Sequence, residues 1–100
     1  MLLEDKVAVV YGAGGSVGGA ISRAFAREGA TVILAGRTLA PLEAAATEIV
    51  AAGGTAEAAV ADALDRSSSE ELRSGVVART GRIDISFNAI SIDDVQGTPA

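Results

Sequence analysis

The sequence predicts an α/β fold: a doubly wound parallel sheet of about four strands in the order 3-2-1-4, accompanied by three helices. Three observations predict it. Short runs rich in valine, isoleucine and alanine alternate with longer helical stretches, the pattern of successive βαβ units with right-handed crossovers. Each helical stretch runs into glycine, at Gly29, at Gly53 and Gly54, and at Gly81, where a helix of this kind takes its C-terminal cap. A burst of glycine also separates the first strand from the first helix.

Each element has its own warrant. The run KVAVVY, residues 6–11, is too short for a helix and ends at Gly12, as a buried parallel strand does. From residue 16 to 28, Val17, Ala20, Ile21, Ala24 and Phe25 recur at helical spacing. TVILA, 31–35, reads as the second strand, and an alanine-rich helix is expected from about 39 to 52. TAEAAV, 55–60, is a weaker third strand. The serines of DRSSSEEL offer N-caps, with Glu70 three residues after Ser67 in capping-box spacing. A third helix then spans about 68–80 and turns Leu72, Val76 and Val77 inward. RIDISFNAI, 82–90, reads as the fourth strand, and the polar, turn-rich residues 91–100 as a loose tail.

Composition narrows the function. One hundred residues, 49% of them apolar, suit one domain over residues 1–100. With no cysteine and no histidine there is no disulfide framework, no thiol nucleophile and no zinc site of the usual ligands. A net charge of −5, without a cluster of Lys or Arg, argues against nucleic acid as a partner. Glu4, Asp5 and Lys6 interrupt the amino terminus before any long apolar run, so neither a signal peptide nor a membrane span is expected and the location is read as cytoplasmic.

The glycines between strand and helix carry the chemistry. Where a strand feeds a helix, the first helical N–H groups lack partners and the helix dipole favours an anion. Gly12 permits the tight turn, Gly14 and Gly15 let the backbone approach a pyrophosphate, and Gly18 lets the helix pack close to the strand. Gly12, Gly14 and Gly18 do not form G-x-G-x-x-G, because the third glycine position holds Val17, and no Walker lysine is present. A merely compact strand-to-helix turn is the plain alternative, and the βαβ context weighs against it. At the end of the second strand, LAGRT puts Gly36 and Arg37 where an acidic residue would bind ribose hydroxyls. An arginine there accommodates a 2′-phosphate, which tilts the cofactor to NADP(H) over NAD(H). The plain alternative for Arg37 is a solvated surface charge.

These residues resemble the amino-terminal part of the short-chain dehydrogenase/reductase family, with its Rossmann-like fold. That family opens on a strand leading into T-G-x-x-x-G-x-G. YGAGGSVG lies over it with Gly12 and Gly18 in place, Tyr11 standing for the threonine and Ser16 for the middle glycine. GRTLAPLEAAATEI is similar to the stretch after strand two in NADP-preferring members. Asp62 in VADALD matches the family's adenine-contacting aspartate, and FNAI stands for N-N-A-G, with Asn88 and Ala89 matching. The resemblance implies that the backbone of residues 15–17 holds the pyrophosphate, Arg37 the 2′-phosphate, Asp62 the adenine, and Ala89 with Ile90 the ribose, while Asn88 ties adjacent strands together. The implied cofactor-binding set is Gly12, Gly14, Gly15, Ser16, Val17, Gly18, Arg37, Thr38, Asp62, Ala63, Asn88, Ala89 and Ile90.

The implied activity is hydride transfer between NADP(H) and a carbonyl or alcohol. The family's tyrosine acid/base and its lysine four residues later have no counterpart here, since the one tyrosine, Tyr11, follows the one lysine, Lys6, on the same strand. Asp84, Asp93, Asp94 and the serines 67–69 offer no substitute; Asp84 opens a strand, Asp93 and Asp94 read as solvated turn residues of the tail, and the serines as helix caps. No catalytic residue or metal ligand is therefore assigned. An unfinished sheet edge at the fourth strand adds to the expectation of a truncated reductase, inactive by itself and a homo-oligomer in its full form. Two alternatives stay open: a non-catalytic dinucleotide-binding or sensing module, and a methyltransferase-like fold for S-adenosylmethionine, to which Gly36 and Arg37 are a poor fit.

Overall fold

A computed structural model describes residues 2–62 and 64–89. Its elements are β1 (Val7–Tyr11), α1 (Ser16–Arg27), β2 (Thr31–Gly36), α2 (Leu39–Ala51), β3 (Thr55–Val60), α3 (Arg66–Thr80) and β4 (Ile85–Asn88). All strand pairs are parallel and the order is β3-β2-β1-β4, as the alternation of strands and helices predicts. The proposed tail, 91–100, lies outside the described residues.

The sheet is built from alternation. Ala8, Val10, Val32 and Leu34 face α1 and α2, meeting Leu42, Ala45, Ala46 and Ile49 of α2. Val7, Val9, Tyr11, Ile33 and Ala35 face the other side, where Val76 and Leu72 of α3 cover them. Central strands buried on both faces read as near-continuous apolar runs, which is why VAVVY and TVILA carry no charged residue and only Tyr11 and Thr31 bring a hydroxyl. Val9, Val10, Val32, Ile33, Leu34 and Leu42 are fully buried, each contributing about 1.5–3 kcal/mol relative to an exposed side chain.

Three details depart from the sequence reading. In α1 the buried residues are Gly18, Gly19, Ser22 and Ala26. Val17 is 57% exposed, although helical spacing counted it with the apolar face. Close approach to the strand turn selects the smallest side chains, and Ser22 satisfies its own hydroxyl by donating to the Gly18 carbonyl (2.8 Å). In α3 the cap is Asp65, whose carboxylate accepts from the Ser68 amide, so the helix begins at Arg66 and the capping box from Ser67 does not form. Val77, expected inward, is 43% exposed; Val76 alone is buried from α3.

The fourth strand is shorter than 82–90 because residues 82–84 form a latch at the start of the sheet. The Asp84 carboxylate accepts from the Val7 amide (2.8 Å) and from Arg82 Nε (2.8 Å), and Arg82 also donates to the carbonyl of Asp5. Asp5 holds φ at 67°, the left-handed region that a non-glycine residue rarely occupies. Asp84 is thus a structural acceptor, a role its position at the opening of a strand did not reveal.

The Val7 N–H, and next Arg82, hold the Asp84 carboxyl below its ordinary value of 3.8. A depressed folded value means that the contribution is complete above the unfolded value and is lost as pH falls through the folded one. Asp84→Asn is expected to melt at a lower temperature than the parent at pH 7, with the gap closing once the pH drops below 3.8. Melting curves followed by circular dichroism at the two pH values check this; equal melting temperatures at pH 7 would remove the latch.

Candidate functional site

The candidate residues converge on the edge of the sheet where the strands end. Backbone hydrogen bonds stitch that edge together: Ala13 N–H to Ala35 O (3.0 Å), Ala61 N–H to Gly36 O (2.8 Å) and Ala89 N–H to Tyr11 O (2.8 Å). The glycine loop, the Gly36–Arg37 turn, the Asp62 segment and the Asn88–Ala89 segment therefore leave the sheet side by side. In an open parallel sheet this edge is where ligands bind.

The glycine loop is shaped by two close approaches. Gly12 takes φ 75°, so the chain turns sharply out of β1. Its carbonyl then lies where a side chain on Gly18 would be: a Cβ there would come within 2.3 Å of Gly12 O and 2.8 Å of Ala13 Cα. Gly14 sits against Pro41 at the start of α2, with 3.3 Å to Pro41 Cγ for an added Cβ. Gly15 differs, because a Cβ would meet nothing nearer than Gly12 O at 3.6 Å. Protein packing requires Gly18 and crowds Gly14, whereas Gly15, Ser16 and Val17 are exposed at the mouth of the helix.

That mouth is open. Gly15 is the N-cap of α1 and provides no side-chain hydrogen bond, and no acidic residue stands in the first turn. Thr38 is the N-cap of α2 and, although its hydroxyl belongs to a capping residue type, it makes no cap bond. The third helix is closed by Asp65. Two of the three helix N-termini at this edge thus keep their positive ends unsatisfied, and the Gly14–Pro41 contact sets them beside one another.

Arg37 is exposed immediately after β2 and makes no ion pair among the described residues. A Cβ on Gly36 would press on Leu42 Cδ2 at 3.2 Å, so a larger residue at that position would crowd α2. Asp62 is half-buried; its Oδ1 accepts from the Leu64 amide (2.9 Å), and its own amide donates to Ser68 Oγ (2.9 Å). Ser68, read from the sequence only as a possible cap, fastens the Asp62 segment to α3. Asn88 is exposed at the end of β4 and Ala89 is buried. Ala63 and Ile90 lie outside the described residues.

Lys6 and Tyr11 lie at opposite ends of β1, about 16 Å apart at the usual rise per residue. Among the described residues no group of His, Cys, Asp or Glu could hold a metal, and no helix is long and apolar enough to cross a membrane. A cavity of about 180 Å³ between α1 and α2, lined by Arg23, Ala26, Arg27, Glu48, Ile49, Ala52 and Gly54, contains none of the candidate residues.

A glycine turn between β1 and α1 on a parallel 3-2-1-4 sheet places the chain among the Rossmann-like α/β proteins. Comparison with known proteins narrows this: the model for the short chain dehydrogenase family matches residues 6–99, and the chain belongs to that family. It is 41% identical over 88 residues to an uncharacterised oxidoreductase of Mycobacterium tuberculosis, covering 88% of this chain and 34% of that protein. It is 41% identical over 98 residues to the L-rhamnose 1-dehydrogenase (NAD(P)(+)) of Azotobacter vinelandii, covering 92% of this chain and 38% of the relative. Among solved structures, a metagenomic short-chain oxidoreductase in complex with NADP superposes with a TM-score of 0.82 at 40% identity, over 86% of this chain and 39% of that one. The chain spans a little over a third of the length of these relatives.

The contrast between two glycines is testable. Gly18→Ala should destabilise the ligand-free chain by about 1–3 kcal/mol, because both clashing groups are backbone. Gly15→Ala, at an ordinary φ of −86°, should cost less than about 1 kcal/mol. Urea denaturation of the two variants compares them; a Gly18→Ala variant as stable as the parent would contradict the close approach.

Proposed function

We propose that this chain forms the NADP(H)-binding part of a short-chain reductase that moves hydride between the nicotinamide and a carbonyl or alcohol. The open N-terminus of α1 at the glycine turn carries this reading. An anion placed there meets the first turn of a helix that no side chain caps and the positive end of its dipole, with no side chain on Gly15 to keep it out; the Gly15 N–H itself already donates to the Gly12 carbonyl (3.1 Å). The pyrophosphate is assigned to the backbone of Gly15, Ser16 and Val17, with Gly12, Gly14 and Gly18 setting the loop. Arg37, exposed and without an ion pair among the described residues, takes the 2′-phosphate, with Thr38 beside it at the open end of α2. Asp62 keeps its second carboxylate oxygen for the adenine amino group, and Asn88 and Ala89 border the ribose next to β1. Ala63 and Ile90 complete the set.

When bound, the nicotinamide cofactor supplies the hydride chemistry; this chain's residues bind and orient it. With Lys6 and Tyr11 at opposite ends of β1, the acid–base step is not assigned to this stretch of chain. We place the substrate, a small carbonyl or alcohol, and any homo-oligomer contact in the length by which the relatives exceed it, and the protein in the cytoplasm. The complex of the metagenomic relative with NADP and the dual cofactor name of the L-rhamnose dehydrogenase support a nicotinamide dinucleotide. Arg37 supports NADP(H) over NAD(H).

Arg37→Ala should weaken NADPH binding by about 1.5–3 kcal/mol, the scale of a hydrogen bond to a charged group, while leaving NADH affinity within about twofold of the parent, a change no larger than a lost surface charge far from its ligand makes. Calorimetric titration with both nucleotides measures this, and equal losses for the two would overturn the 2′-phosphate assignment.

A further inference from the structure

Tyr11 is the largest side chain at the ligand edge that the reading above leaves unused. It ends β1 with its ring in the cluster that contains Ala35 and Ala61. Ala35 leads into the turn that carries Arg37, and Ala61 immediately precedes Asp62. The ring therefore lies beneath the two segments to which the proposed function gives the adenosine end of the dinucleotide. Tyr11 is only 6% exposed, and its hydroxyl is buried without a hydrogen-bond partner among the described residues.

Such a group is rare in a folded protein, because desolvating a hydroxyl without pairing it is unfavourable. A phenylalanine of the same shape would fill the space without that penalty. Burial pushes the phenol above its ordinary value of 10.0, with the Arg73 guanidinium of α3 pulling weakly the other way. The hydroxyl consequently keeps its proton at neutral pH and is available as a donor. Adenine presents unprotonated ring nitrogens as acceptors.

We propose that the Tyr11 hydroxyl is a recognition group for the adenine ring, donating a hydrogen bond to one of its ring nitrogens when the dinucleotide is bound. The assignment rests on the dinucleotide reading above and adds to it a residue at the position where the family pattern has the much shorter threonine. Asp62 and Tyr11 then approach the base from two sides, one accepting from its amino group and the other donating to the ring.

The chain has a single tyrosine and no tryptophan, so a ring-labelled tyrosine gives one unambiguous set of NMR signals. The test titrates the whole chain and its Tyr11→Phe variant with adenosine 2′,5′-bisphosphate, with NADPH and, as a control for the glycine loop, with inorganic pyrophosphate. The expected result is a three- to tenfold weaker affinity of Tyr11→Phe for the two adenine ligands, about what one neutral hydrogen bond supplies. Pyrophosphate affinity should stay unchanged, the tyrosine signals of the parent should move on adding the bisphosphate, and the ligand-free variant should melt no lower than the parent. Equal affinities with unmoved tyrosine signals overturn the role of Tyr11 and leave the dinucleotide reading standing. A lower melting temperature of the ligand-free variant also overturns it, since the hydroxyl would then have an internal partner. Failure of the parent to bind any of the adenine ligands overturns the dinucleotide reading and this assignment together.

Discussion

The site depends on one contact, the passage of Gly18 over the carbonyl of Gly12. With a Cβ on residue 18 only 2.3 Å from that oxygen, the axis of α1 could not lie where it does. Its position decides the rest of the edge. The left-handed Gly12 turns the chain out of β1, and the close pass then brings the first turn of α1 to the carboxyl end of the sheet, where the Gly12 carbonyl accepts from the Gly15 N–H (3.1 Å) and no side chain caps the helix. The contact is maintained down the helix by a face of Gly18, Gly19, Ser22 and Ala26. A helix seated on such small residues has little apolar area to hold it, so Ile21 and Phe25 at its flanks supply the packing. Phe25 meets Phe87 of β4 edge to face at 6.4 Å, which ties α1 to the edge strand opposite β3.

The two faces of the sheet are stabilised unequally. On the α1/α2 side, Val10, Leu34, Leu42 and Ile49 form a continuous core. On the α3 side only Val76 of the helix is buried, and polar contacts do most of the positioning. Asp65 caps α3, Ser68 holds the Asp62 amide, and the single proton of the Thr80 hydroxyl is within reach of the carbonyls of Val76 (2.7 Å) and Arg82 (2.8 Å). The ion pair between Arg79 and Glu57 is about half exposed on both partners, and such pairs contribute about 1 kcal/mol at most. An element with one buried apolar anchor opens at lower cost than its neighbours. The Asp62 segment is fastened to that element through Ser68, whereas the glycine turn is held by close backbone contacts.

Much of this was legible in the sequence, for identifiable reasons. VAVVY and TVILA could be read as central strands because a strand buried on both faces carries no charged residue, and Gly29, Gly53 and Gly81 adopt the positive φ that marks a helix end. The face of α1 was misread because hydrophobic periodicity seeks bulk, whereas the contact that matters there selects for the absence of bulk. Ser67, Ser68 and Ser69 are each plausible caps by residue type, and nothing local reveals that Asp65 reaches the Ser68 amide first. The role of Asp84 was hidden for a different reason. Its partner is the amide of Val7, 77 positions away in the chain, and a carboxylate opening a strand gives no sign of a bond across the sheet. Tyr11 shows the same limit, since its place beside Ala35 and Ala61 follows from the strand register.

The features left unsatisfied in the free chain lie at one edge. The first turns of α1 and α2 lack side-chain caps, the second of them although Thr38 is of a type suited to the task; among the described residues Arg37 has no counter-ion and the buried Tyr11 hydroxyl has no hydrogen-bond partner. Several polar groups elsewhere are paired within the chain, among them Asp65 with the Ser68 amide, Asp84 with Val7 and Arg82, and Ser22 with Gly18. A chain optimised only for its own stability would have no reason to gather its unpaired groups in this way. A ligand carrying two or three negative charges and a flat heterocycle would satisfy them together, and anything that binds the folded state alone stabilises it by mass action. Under the proposed function, the dinucleotide is in this sense the missing part of the polar network at the carboxyl edge, and the stability lost there by the free chain is what makes the edge receptive to it.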